Sequence, residues 1–102
     1  QLPQVKTSWL AFPLTINSDA PFSRIEIVKH LESHGIQTRP VFTGNVLRQP
    51  AFEKIDCKNI GKDYDVADNI MKNSFIIGCN HGLNEKHLEK IKVVFKSFLD
   101  KF

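Results

Sequence analysis

The sequence predicts an α+β domain: a small three-stranded sheet with helices packed on one side. Three observations lead there. Residues 8–16, Ser-Trp-Leu-Ala-Phe-Pro-Leu-Thr-Ile, alternate in the manner of a strand. The run Ser74-Phe75-Ile76-Ile77-Gly78-Cys79 is apolar and too short for a buried helix, as a central strand covered on both faces is. Two capped stretches, 23–35 and 84–102, carry apolar residues every three or four positions, the spacing of helices with one buried face. The resulting order is strand, helix, strand, short helix, strand, long helix.

The chain has 102 residues, 41% hydrophobic and 25% charged, which suits one globular domain and argues against disorder. It opens on Gln1 rather than Met, so we expect a piece of a longer protein. Residues 1–7, with Pro3 and no pattern, read as a linker from a missing large domain, and 8–102 as the domain itself. No apolar run approaches the length of a membrane span and no signal-peptide pattern is present, so a cytoplasmic setting with no membrane partner is expected. The net charge of +3 is spread among acids rather than gathered in a stripe, which argues against nucleic acid as a partner. Cys57 and Cys79 have no neighbouring ligands, so no metal site is expected and both read as free thiols.

In chain order, the strand over 8–16 places Leu10, Phe12, Leu14 and Ile16 on one face, expected to be buried. Pro13 assigns it to a sheet edge or a bulge. Ser23 and Glu26 form a capping box that opens the first helix, whose stripe is read as Ile25, Val28 and Leu31, with Ile27 to the side; Gly35 closes it as a left-handed cap. His30 and His34 read as surface residues. A second strand over 36–42 follows, then a short helical turn around Ala51 and Phe52 and an irregular polar connection over 53–62. Asp65 is read as the cap of a short helix over 66–72 with Ala67, Ile70 and Met71 turned inward. Asn84 caps the last helix, whose stripe is read as Leu88, Ile91, Phe95, Phe98 and Phe102, with the lysines in water.

The stretch least explained by packing is 35–50. Its loop gathers Thr43, Gly44 and Asn45 beside Arg39, Arg48 and Gln49. Arginines grip phosphate or carboxylate through two parallel N–H groups, and amides match sugar hydroxyls, so this set suits an anionic, polyhydroxylated ligand; the plain alternative is a solvated surface turn. His81, in a glycine-flanked turn just past the third strand, is placed to present an imidazole to a neighbouring surface, or is a surface histidine without a role. There is no Ser/His/Asp arrangement, no His-Glu-x-x-His, no phosphate loop and no dinucleotide fingerprint, so this chain alone is expected to catalyse nothing.

Four segments together resemble a known family: Phe12-Pro13-Leu14; Gly35-Ile36-Gln37-Thr38-Arg39-Pro40-Val41-Phe42-Thr43-Gly44-Asn45 with Arg48-Gln49-Pro50; Ala67-Asp68-Asn69-Ile70-Met71; and Phe75-Ile76-Ile77-Gly78-Cys79-Asn80-His81-Gly82. They are similar to the carboxyl-terminal small domain of the DegT/DnrJ/StrS family, nucleotide-sugar aminotransferases and dehydratases with the fold-type I, aspartate aminotransferase-like architecture. Within it they resemble most the RfbH-type 3-dehydratase branch of lipopolysaccharide deoxysugar synthesis. The resemblance implies a parent enzyme, a homodimer acting on a nucleotide-diphosphate sugar. It implies pyridoxal phosphate or pyridoxamine phosphate as cofactor, held mainly by the missing large domain, which also carries the catalytic Lys or the His that replaces it. The small domain would shape the substrate pocket, and Arg39, Thr43, Gly44, Asn45, Arg48, Gln49 and His81 carry over as substrate-binding positions. Members of the family often have two histidines in the Gly-Cys turn; here the first is Asn80, which leaves His81 alone. Some dehydratases of the branch hold an iron–sulfur cluster, and Cys57 and Cys79 do not match such a ligand set. An aminotransferase parent, and a stand-alone nucleotide- or RNA-binding module, are the alternatives; strands without alternating aromatic and basic residues speak against RNA. Val46, Leu47 and Phe52 are expected on a surface that the large domain covers.

Overall fold

A computed structural model describes residues 3–52, 54–56 and 64–102. Most of the polar connection expected over 53–62, and Cys57 within it, lie outside the described residues. Three strands, β1 (Ala11–Thr15), β2 (Thr38–Pro40) and β3 (Ser74–Gly78), form one sheet in the order β1-β3-β2, with both pairings antiparallel. Three α-helices accompany them: α1 (Arg24–Ser33), α2 (Asp65–Asn73) and α3 (Glu85–Leu99). Two single turns of 3-10 helix, Val46–Arg48 and Pro50–Phe52, follow β2. Because β1 and β2 both run against β3, they run parallel to each other, joined by α1 with β3 inserted between them: a split β-α-β unit. No described helix is long and apolar enough to cross a membrane.

Phe75 and Ile77 alternate onto the face of β3 where α1 and α3 pack. The core is Ile27 and Leu31 of α1, Ile36, Phe75, Ile77, and Val94 and Phe98 of α3. Phe22 stacks edge-on against Phe98 with ring centroids 5.0 Å apart, closing the core at the start of α1. The expected one-sided layering and the central position of 74–78 therefore hold.

Several local readings shift. The α1 stripe turns by one position: Ile27 and Leu31, four residues apart, face inward, whereas Ile25 is exposed. In α3, Val94 and Phe98 carry the buried face, with Ile91 and Phe95 half-buried beside them; Leu88, near the start of the helix, and Phe102, past its end, are exposed, because the core meets the carboxyl-terminal half of α3. In β1, Leu14 and Ile16 pack against the core, but Leu10 and Phe12 are exposed, beyond the cover of the helices. The edge position read from Pro13 is observed. β2 spans only three residues, since Phe42 turns out of strand geometry with φ +46°. Asp65 is the first residue of α2 rather than its cap; Tyr64 holds the cap position with no side-chain cap bond.

The helix ends follow the sequence signals more closely. Ser23 and Glu26 make the capping box, and Asn84 makes another with His87. Gly35 has φ +74°; its N–H donates to Glu32 O (3.0 Å) and that of Ile36 to Leu31 O (2.9 Å). That pair of bonds is a Schellman closure, and Ile36 and Leu31 supply its usual apolar contact in the core.

Truncating Phe98 to Ala should cost about 3–5 kcal/mol, the range for deleting a buried aromatic, whereas Leu88→Ala should stay within roughly 1 kcal/mol. Urea unfolding midpoints of the two variants check the reassigned face of α3.

Candidate functional site

The loop that follows β2 is fixed by three kinds of contact. First, its backbone folds tightly: the Phe42 N–H donates to Pro40 O (2.8 Å) and the Gly44 N–H to Val41 O (2.9 Å). Second, Gly44, with φ +65°, lies flat against α2, so that a Cβ there would collide with the Cβ of Met71. Only glycine meets both demands. Third, Asp68 of α2 takes hold of the loop's polar side chains. Asn45, 4% exposed, donates through Nδ2 to Asp68 Oδ1 (2.8 Å) while its own Oδ1 accepts the Leu47 N–H (3.0 Å). Arg48 donates through Nε to Asp68 Oδ1 (3.1 Å) and through Nη2 to Oδ2 (2.6 Å). The Arg48 hydrogen bonds, with Asn45 adding to them, lower the Asp68 pKa to about 2, and that of Arg48 is raised in turn. Gln49 closes the loop by donating to Thr43 O (3.2 Å).

The structure thus brings Gly44, Asn45, Arg48 and Gln49 together, with the Asn45 and Arg48 side chains turned to α2. Thr43 is exposed at the loop's crest. Arg39 lies at the middle of the β2–β3 pairing, opposite Ile76; it is exposed and donates through Nη1 to Thr38 O (2.8 Å). Thr38 donates both its N–H and its hydroxyl to Glu32, which lowers that carboxyl's pKa and ties the end of α1 to the start of β2. Between α1 and β2 runs a groove of about 370 Å³ with a floor of Ile25, Val28, Pro40 and Phe75, flanked by Arg24, Lys29 and Arg39. No carboxylate is among its lining residues.

His81 is not part of this cluster. The loop leans on α2, which enters β3 at Ser74, whereas His81 lies in the turn that leaves β3 after Gly78. There it shares a hollow with Ser8, Trp9, Leu10, Cys79 and Asn80. Val46 and Phe52 are exposed, as expected, and Leu47 is half-buried.

Sequence reasoning missed Asp68 and Arg24. Asp68 joins the loop from 20 and 23 residues away, a distance no local pattern spans. Arg24 reads as a surface cation after a helix cap, yet its Nη1 donates to Met71 O (2.9 Å) and Ser74 O (3.2 Å) across the α2–β3 junction. The opposite charges of Arg48 and Asp68 were the one available hint.

The model of the DegT/DnrJ/EryC1/StrS aminotransferase family matches residues 1–96. The lipopolysaccharide biosynthesis protein RfbH of Salmonella typhimurium is 36% identical over 91 residues, 89% of this chain and 21% of that protein. The dTDP-4-dehydro-2,6-dideoxy-D-glucose 3-dehydratase of Saccharopolyspora spinosa is 32% identical over 97% of this chain and 21% of its own length. The GDP-4-keto-6-deoxy-D-mannose 3-dehydratase of Yersinia pseudotuberculosis is 33% identical over 88% and 22%. Among solved structures, a GDP-4-keto-6-deoxymannose-3-dehydratase variant with bound GDP-perosamine superposes with TM-score 0.65 at 30% identity, over 83% of this chain and 22% of that one. Another, with a trapped PLP-glutamate geminal diamine, gives TM-score 0.68 at 28% identity, over 84% and 22%. The chain spans about a fifth of the length of the curated relatives it matches.

Gly44→Ala should destabilise by about 2–4 kcal/mol, combining a left-handed backbone with overpacking against Met71. Thermal unfolding measures it. Asp68 predicts a pH dependence. Its folded pKa is depressed, so its stabilisation is fully present above the ordinary value of 3.8 and is lost as pH falls towards about 2. Urea midpoints of the parent and of Asp68→Asn should therefore differ most above pH 5 or so and converge in acid.

Proposed function

The chain belongs to the DegT/DnrJ/EryC1/StrS aminotransferase family, and from that premise we propose that it is the carboxyl-terminal small domain of a nucleotide-sugar 3-dehydratase of lipopolysaccharide deoxysugar synthesis. In this reading the parent is a cytoplasmic homodimer that uses pyridoxal or pyridoxamine phosphate. The observation that carries it is the nature of the relatives: proteins 32% to 36% identical over 88% to 97% of this chain include two named 3-dehydratases and a lipopolysaccharide biosynthesis protein.

No described lysine is placed to hold such a cofactor as a Schiff base. Every described lysine is exposed, and none stands in the desolvated setting that a Schiff-base amine needs. In this reading the large domain holds the cofactor, and the small domain contributes pocket wall.

The wall has a division of labour. Asn45 and Arg48 act through Asp68 to hold the loop still, rather than reaching outward as their residue types suggest. Arg39 is left as the outward cation, with Lys29 beside it along the groove, and these suit the diphosphate of a nucleotide sugar. Thr43 presents a hydroxyl for the sugar. His81, at the far end of β3, faces another part of the substrate or the large domain.

The protein that contains this chain, given pyridoxamine phosphate and CDP-, dTDP- or GDP-linked 4-keto-6-deoxyhexoses, should eliminate the 3-hydroxyl and yield a 3-deoxy sugar visible by NMR. An amino sugar formed at C4 instead would make the parent an aminotransferase. Failure to act on any nucleotide sugar would remove the reading altogether.

A further inference from the structure

Phe42 combines two features that folding alone does not reward. Its φ of +46° lies in the left-handed region, where a residue with a Cβ is strained, and no other non-glycine among the described residues has positive φ. Phe42 is also 82% exposed, so no neighbour among the described residues buries the ring to offset that strain. Leu10 is just as exposed but sits on ordinary backbone, as scattered surface apolar residues do.

The strain is held in place from both sides. The Phe42 N–H is bound to Pro40 O, and Gly44 is bound to Val41 and pressed against Met71. Asn45 and Arg48 anchor the following turn on Asp68. The result is an aromatic ring directed into water by a rigid loop. It stands two residues beyond Pro40, which with Arg39 lines the cationic groove, and so within about 7 Å of that groove along the chain. A flat apolar ring near the exposed Arg39 and Lys29 matches a ligand with an aromatic ring next to an anion.

We propose that Phe42 is a stacking platform for the base of the nucleotide, with the diphosphate directed to Arg39 and Lys29. This rests on the nucleotide-sugar reading above and assigns its base-binding position. Every base has a π-face, so such a platform accepts different bases with similar strength.

The test uses the full enzyme, with GDP, dTDP and CDP as competitive inhibitors of nucleotide-sugar turnover. Phe42→Ala and Phe42→Leu should raise the inhibition constants, and the KM of the nucleotide sugar with them, on the order of tenfold, and Phe42→Trp should restore both. Phe42→Gly should raise the urea midpoint by releasing strain, yet weaken nucleoside diphosphates as much as Ala does. Full rescue by Leu would reduce the contact to a greasy one and overturn stacking. An unchanged inhibition constant with a raised KM for the nucleotide sugar would put the ring on the sugar, which also overturns it. No change in either would show that the ring touches no substrate. If the unaltered enzyme binds none of the three diphosphates, the functional reading itself fails before any variant is compared, and the proposal falls with it.

Discussion

β3 is bonded along both edges, and the sheet exists only through it. β1 and β2 do not touch, so each is a strand because β3 supplies its hydrogen-bond partners. The same strand delivers Phe75 and Ile77 to the two helices above the sheet. Both edge strands take their register from it. The two prolines of the sheet lie on its edge strands, where a missing N–H costs nothing in the ladder: Pro13 on β1 and Pro40 on β2.

The junction between α2 and β3 is where that constraint meets the loop. α2 ends at Asn73 and β3 begins at Ser74, so there is no slack between them. The carbonyls left free at the end of the helix are taken up in turn: Ile70 O by the Ser74 N–H, Met71 O by Arg24 and Asn73 O by the Ile16 N–H. Asp68, one turn earlier on the same helix, then fixes the loop through Asn45 and Arg48. A carboxylate that accepts three hydrogen bonds from two side chains is a positional device: it transmits the rigidity of the central strand to a surface loop. The loop can therefore hold a strained residue such as Phe42 without relaxing.

This arrangement changes how the polar residues of the loop are understood. Side-chain chemistry alone makes every Arg, Asn and Gln near a turn equally available to a ligand. In the folded chain Asn45 is buried and Arg48 has its fork on a carboxylate, which leaves Arg39, with Lys29 across the groove, as the outward-facing charges. Supporting residues and contacting residues thus have the same composition, and only their partners separate them.

The order of elements, the central place of 74–78, the edge character of β1 and the caps at Ser23, Gly35 and Asn84 were all legible in the sequence. Each depends on residues within a few positions of one another, whose backbone requirements are local. The family was legible for a related reason, because its motifs are contiguous. What the sequence could not decide was the centre of the buried face on α1 and α3: Leu31 and Phe98 were read as core, but Ile27 rather than Ile25 and Val94 rather than Leu88 complete it. Nor could it show the Asp68 clamp, the role of Arg24, or the separation of His81 from the loop. These depend on where the helices cross the sheet and on contacts between residues twenty or more positions apart, and chain proximity in space exists only once β3 has drawn those segments together.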